Sequence, residues 1–106
     1  MKVASIHTWK IRPGRYGDFL GTLAEGQKII ERLGGSVRTW VPLIGGQEPS
    51  QLSIVIEHSD IEVYGAFTKK LQAEPEYLAL VARLQEDRDP AADYVSSALI
   101  SEPLQP

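Results

Sequence analysis

The sequence predicts an α+β fold in the order strand, helix, strand, strand, helix, strand, with four strands in one antiparallel sheet and the helices on one of its faces. Three observations carry that prediction. Two stretches repeat their apolar residues at helical spacing, four shorter ones are rich in strand formers, and Gly and Pro fall between them. At 106 residues, the chain is expected to form one domain, 1–106.

Val3, Ile6, Trp9 and Ile11 open the chain as a strand, which Pro13-Gly14 closes. From Tyr16 to Leu33 the residues Tyr16, Phe19, Leu20, Leu23, Ile30 and Leu33 form the apolar stripe of a helix. Gly34-Gly35 ends it, since glycine adopts the left-handed conformation that a helix C-terminus often needs. Residues 36–43 form a second strand, with Pro42 at its end or on a sheet edge because proline cannot donate to a ladder. Gly45-Gly46 through Pro49-Ser50 is turn material before a third strand at 52–57, so strands two and three pair as a hairpin. The apolar run Leu52, Ile54, Val55 and Ile56 predicts burial on both faces, hence a central position.

Ser59-Asp60-Ile61-Glu62 has the form of a capping box, with Ser59 at the N-cap of a helix reaching Leu71. Pro75 fronts the next helical stretch, where its missing N–H does no harm, and Tyr77, Leu78, Val81 and Leu84 give the stripe. Asp89-Pro90 stops it. Ala98, Leu99 and Ile100 make a short last strand, and Pro103 and Pro106 discourage further structure.

Composition narrows the function. Net charge is −3 with the two signs mixed and no basic stripe, so nucleic acid is not an expected partner. The absence of cysteine excludes disulfides, thiolate metal sites and cysteine nucleophiles. The first residues lack the apolar core of a signal peptide, and no apolar run approaches the ~20 residues that cross a bilayer. A cytoplasmic location without membrane contact is the expectation. Gly34-Gly35 and Gly45-Gly46 lack the lysine and hydroxyl residue of a phosphate-binding loop, and Ser96-Ser97 lacks the glycines of a nucleophile elbow. No cofactor and no nucleophilic hydrolysis are expected.

With helices on one face, the other face shows the alternating residues. On the first strand the sets are Val3, Ser5, His7, Trp9, Ile11 and Ala4, Ile6, Thr8, Lys10; on the second, Arg38, Trp40, Pro42 and Val37, Thr39, Val41. Neither first-strand set is charged enough for a solvated face, and an uncovered apolar patch usually marks an interface. A homodimer joined through its sheet faces is therefore expected.

Thr8-Trp9-Lys10-Ile11-Arg12-Pro13-Gly14 resembles the strand-end aromatic and basic-Pro-Gly turn of NIPSNAP domains, and Phe19-Leu20, Leu33-Gly34-Gly35, Trp40 and Ala73-Glu74-Pro75-Glu76-Tyr77 resemble later landmarks of that pattern. Over residues 4–100 the chain thus resembles the dimeric α/β-barrel superfamily, in its NIPSNAP and antibiotic-biosynthesis-monooxygenase-like groups. The resemblance implies a ferredoxin-like βαββαβ subunit and a homodimer. Its members include cofactor-free monooxygenases, haem-degrading enzymes, dehalogenases and stress-response proteins. Haem-degrading and many cofactor-free members use a pocket asparagine, and this chain contains none. Ser5 and His7 also stand where NIPSNAP domains often carry Glu and Arg.

His7 and Trp9 share one face of the first strand. A histidine can serve as general base near neutral pH, and a tryptophan can wall an aromatic pocket. The same residue types also serve plain packing, His7 as a hydrogen-bonded half-buried residue and Trp9 as core or interface. Arg38 and Trp40 share a face of the second strand; Arg38 can bind a carboxylate or phenolate, or pair across a dimer interface. His7 and His58, on strands that would be neighbours, suggest a metal site. However, His58 is at its strand's end while His7 is mid-strand, further ligands would have to be Asp or Glu, and no spacing motif favours it, so no metal is expected. Phe67 and Tyr77 are the helix residues expected to line any cavity, with the Tyr77 hydroxyl as donor.

Two functions follow: binding of a small apolar or aromatic molecule between sheet and helices, or cofactor-independent monooxygenation of a phenolic substrate. In the second, His7 is the base, Trp9 and Trp40 the walls, and Arg38 or Tyr77 the stabiliser of the phenolate. A structural dimer without a pocket is the third possibility.

Overall fold

Alternation along 3–11 and helical spacing along 16–33 become the first two elements, and the rest follow in the predicted order. The computed structural model describes residues 1–41 and 51–102. The elements are β1 (Val3–Ile11), α1 (Tyr16–Arg32), β2 (Ser36–Trp40), β3 (Gln51–His58), α2 (Ile61–Gln72), α3 (Pro75–Glu86) and β4 (Ala92–Ser101). The strands form one sheet in the order β2-β3-β1-β4, antiparallel at every pairing. Pro42, Leu43, the 44–50 turn, Pro103 and Pro106 lie outside the described residues.

Register decides the faces. Val3 lies opposite His58, Ser5 opposite Ile56, His7 opposite Ile54 and Trp9 opposite Leu52, so all of these point to the helix side. The alternate residues Ile6 and Val55 pair with each other and with Ala98 and Arg38 on the other side. β3 is central, as its apolar run predicts. Its two faces nonetheless differ: Leu52, Ile56 and His58 are buried, while Ser53, Val55 and Glu57 are only half-buried.

The core is in two parts. Ile11, Phe19, Leu52 and Ala92 form one cluster, and Ile30, Ile56 and Phe67 form the other, with Ile54 packed against both. Between them β1 presents Ser5 and His7, and the helices do not close over the sheet. Gly34 takes a φ of 93° after α1, and its amide and that of Gly35 bond to Glu31 O and Ile30 O at 3.0 and 2.9 Å.

Four element boundaries differ from expectation, the first being β2, which ends at Trp40 and leaves Val41 outside the strand. The N-cap of α2 is Asp60 rather than Ser59: Asp60 is extended, and its Oδ1 accepts from Val63 N at 2.8 Å. A carboxylate there also complements the positive end of the helix dipole, which a serine does not. α3 stops at Glu86, with Asp87 as C-cap, before Asp89-Pro90 is reached. β4 begins at Ala92, well before Ala98. It is an edge strand with little burial beyond Ala92, so its sequence carries no apolar alternation. Its pairing with β1 also slips, Thr8 facing Ser96 while Trp9 faces Tyr94, which leaves Val95 as the extra residue of a β-bulge.

Candidate functional site

The gap between the two core clusters is a partly open cavity of about 730 Å³. β1 supplies its floor with Ser5, His7 and Trp9; Phe19, Phe67 and Tyr77 contribute from α1, α2 and α3. Aliphatic side chains such as Leu23, Ile54 and Leu80 share the rest of the lining with polar ones such as Gln27, Thr39 and Gln72. The cavity surface is thus mostly apolar but carries polar groups that can set what is recognised.

His7 sits among three hydroxyls. Its Nδ1 lies 2.7 Å from Ser97 Oγ and its Nε2 3.2 Å from Ser5 Oγ. The Tyr94 hydroxyl donates to Ser97 Oγ at 2.6 Å. The result is a chain of polar groups running from buried Ser5, across half-buried His7, to exposed Ser97 and Tyr94. Burial lowers the His7 pKa below its ordinary value, which favours the neutral ring. Burial raises the Tyr77 pKa, which keeps that hydroxyl protonated and a donor.

Trp9 borders His7 on the same floor. Its ring lies 5.4 Å from that of Phe19, tilted, and 5.6 Å from that of Tyr94, edge-on. At the other end, the buried ring of His58 packs against Tyr64 and Phe67 at 5.5 and 5.1 Å between centroids. His58 Nε2 is buried with no hydrogen-bond partner among the described residues, and burial lowers this pKa too. His58 lies opposite Val3, four residues along β1 from His7. Among the described residues no group of three or more His, Asp or Glu side chains could hold a metal ion, and no helix is long and apolar enough to cross a membrane.

Of the residues singled out in the sequence, the structure brings His7, Trp9, Phe67 and Tyr77 together in the cavity. Arg38 and Trp40 are elsewhere. Arg38 pairs with Val55 and Trp40 with Ser53, so both point to the face that the helices leave bare, and Trp40 is 60% exposed. The cavity therefore holds one of the two tryptophans. Sequence reasoning missed Ser5, Tyr94 and Ser97 as partners of His7. Ser5 is legible by alternation, two residues before His7; Tyr94 and Ser97 are brought to one side by the bulge, which has no sequence signature here.

No protein-family model and no curated protein matches the sequence. Solved structures do. A NIPSNAP family protein from Agrobacterium tumefaciens superposes with a TM-score of 0.72 at 20% identity, over 93% of this chain and 83% of that one. An uncharacterized NIPSNAP domain protein from Burkholderia xenovorans gives 0.71 at 20% identity, over 98% of each chain. This chain has their ferredoxin-like fold. SnoaB, a cofactor-independent oxygenase from Streptomyces nogalater, shares the ferredoxin-like fold at a TM-score of 0.67 and 13% identity, over 98% of this chain and 95% of that one. Identity this low fixes the ferredoxin-like architecture and leaves the chemistry to the residues of the site itself.

Proposed function

We propose that this protein binds a small, largely apolar aromatic molecule with an acidic hydroxyl, and that His7 takes up the hydroxyl proton. The observation that carries this reading is the His7 imidazole set in a cavity of about 730 Å³ whose surface is mostly apolar. Trp9 and Phe19 offer aromatic surface beside it, and the Tyr77 hydroxyl is a donor for a developing phenolate. A pocketless structural dimer does not fit an open space of this size.

The test uses 4-nitrophenol, whose phenolate is coloured. Wild-type protein is expected to bind it with quenching of tryptophan fluorescence and to raise the phenolate fraction over that in buffer. His7→Ala is expected to keep the quenching and lose the colour. Absence of binding to the wild type overturns the reading, and equal colour in His7→Ala removes His7 as the base.

Cofactor-independent monooxygenation is the second reading, favoured by the shared fold with SnoaB, described as a cofactor-independent oxygenase. A phenolate formed at His7 would reduce dioxygen itself, one oxygen atom entering the ring to give a quinone and the other leaving as water. Oxygen uptake with 1-naphthol, present in wild type and lost in His7→Ala, supports it; no uptake above the protein-free rate leaves binding alone.

The bare sheet face carries Ile6, Val55, Trp40 and Ile100, of which Trp40 and Ile100 are 60% and 47% exposed. Such a surface supports pairing of two copies sheet to sheet. Sedimentation is expected to give a dimer that Trp40→Glu splits; a monomeric wild type at micromolar concentration overturns this.

A further inference from the structure

Successive side chains of a strand point to opposite faces, so Tyr94 and Ser97, three residues apart, belong on opposite sides of β4. The extra residue Val95 removes one alternation and puts both on the helix side, Tyr94 opposite Trp9 and Ser97 opposite His7. Bulges often re-aim a side chain next to a site. Here the re-aimed pair meets the imidazole: Tyr94 donates to Ser97 Oγ at 2.6 Å, and Ser97 Oγ lies 2.7 Å from His7 Nδ1.

One arrangement satisfies the donors and acceptors of this chain among the described residues. Ser5 is 7% exposed, and the bond to His7 Nε2 is its side chain's only one among the described residues. If Nε2 carried the proton, Ser5 would accept it and its own hydroxyl hydrogen would have no acceptor among the described residues, an unfavourable arrangement for a buried group. With the proton on Nδ1, Ser5 donates to Nε2, Nδ1–H donates to Ser97 Oγ, and Tyr94 fills the second lone pair of that oxygen. The Ser97 hydrogen is then free for water, since Ser97 is exposed.

We infer that Ser97, held by Tyr94, is a positioning residue that fixes His7 in the Nδ1–H tautomer and leaves the Nε2 lone pair as its basic site. Neither residue needs to touch a ligand for this. The 3.2 Å bond from Ser5 is the longer of the two at the ring and is the one an incoming hydroxyl replaces. The inference rests on the reading of His7 as the base of the cavity, and it names which nitrogen acts.

Two-bond ¹⁵N–¹H spectra of histidine-labelled protein report the tautomer directly, with His7→Ala assigning the signals. The wild-type His7 ring is expected mainly as Nδ1–H. Ser97→Ala, at an exposed position that preserves the fold, is expected to lower the ratio of Nδ1–H to Nε2–H about tenfold. Tyr94→Phe is expected to shift it in the same direction by less, and Ser97→Thr to restore it. A wild-type ring mainly in the Nε2–H form, or a Ser97→Ala ring unchanged from wild type, overturns the inference. Added 4-nitrophenol separates the two proposals. An Nδ1–H ring whose Nε2 signal ignores bound 4-nitrophenol upholds the positioning by Ser97 and removes His7 as the base.

Discussion

Arg12 holds Asp93 through two hydrogen bonds, Nε to Oδ2 at 3.1 Å and Nη2 to Oδ1 at 3.0 Å. The pair fastens the turn after β1 to the start of β4. Asp89 lies 3.6 Å from Arg12 and 3.1 Å from Arg15, so the α3–β4 connection is tied to the β1–α1 turn at two points. Asp93 itself borders the cavity.

This arrangement predicts a defined response to acid. The hydrogen bond from Arg12 holds the Asp93 carboxyl below its ordinary pKa of 3.8. Because the folded value is the lower one, the pair's contribution is complete above the unfolded pKa and disappears as pH falls through the folded value. Both groups are solvent-exposed, so the effect is small. Thermal unfolding midpoints of the wild type are expected to drop more steeply below pH ~4 than those of Asp93→Asn. Parallel curves would show that the pair contributes nothing.

The N-cap of α2 gives a sharper contrast. Asp60→Ala removes the acceptor of the Val63 amide and is expected to destabilise by about 1 kcal/mol, whereas Ser59→Ala should change stability little. Urea denaturation measures both. A larger loss at Ser59 would return the cap to that residue.

That one-residue difference marks how far the sequence reaches. Element order, the central place of β3, the shared face of His7 and Trp9 and the inward side of Phe67 and Tyr77 follow from periodicity, because alternation and helical spacing record which residues of an element lie together. The extent of β4 does not, since an edge strand with exposed Asp93, Tyr94, Ser96 and Ser97 has no apolar record to read. The side of β2 that faces the cavity was equally hidden. Val37 and Thr39 point to it and Arg38 and Trp40 away from it, a choice that rests on pairing with β3 rather than on residue type.

Gly35 and Gly21 separate packing from propensity. A Cβ at Gly35 would come within 2.6 Å of Ile30 Cγ2 and 2.8 Å of Phe67 Cε2, both part of a buried cluster that cannot yield cheaply. Gly35→Ala is expected to cost about 1–3 kcal/mol. A Cβ at Gly21 meets nothing within 4 Å, in the middle of α1. Gly21→Ala is expected to stabilise by roughly 0.5–1 kcal/mol, since alanine loses less backbone freedom in a helix. Denaturant midpoints with unchanged slopes would confirm the opposite signs, and a neutral Gly35→Ala would mean that Phe67 can move aside.

His58 carries the last prediction. The residue is 5% exposed and its ring packs between Tyr64 and Phe67, with Nε2 unpartnered among the described residues. Leaving such an atom buried typically costs about 1–3 kcal/mol, which phenylalanine in the same aromatic setting would avoid. His58→Phe is therefore expected to raise stability at neutral pH by about 1 kcal/mol. It should also change the pH dependence. Burial lowers the folded His58 pKa below the ordinary 6.5, so as pH falls through 6.5 the unfolded chain takes up a proton that the folded ring refuses. Stability linked to this group is complete above that pH and declines as pH drops toward the folded value. His7 is shifted in the same direction and should preserve part of the slope, so His58→Phe flattens the curve without abolishing it. Urea midpoints measured across this range decide the matter. A variant less stable than wild type, with an unaltered slope, would show that the His58 ring is held by interactions stronger than its aromatic contacts.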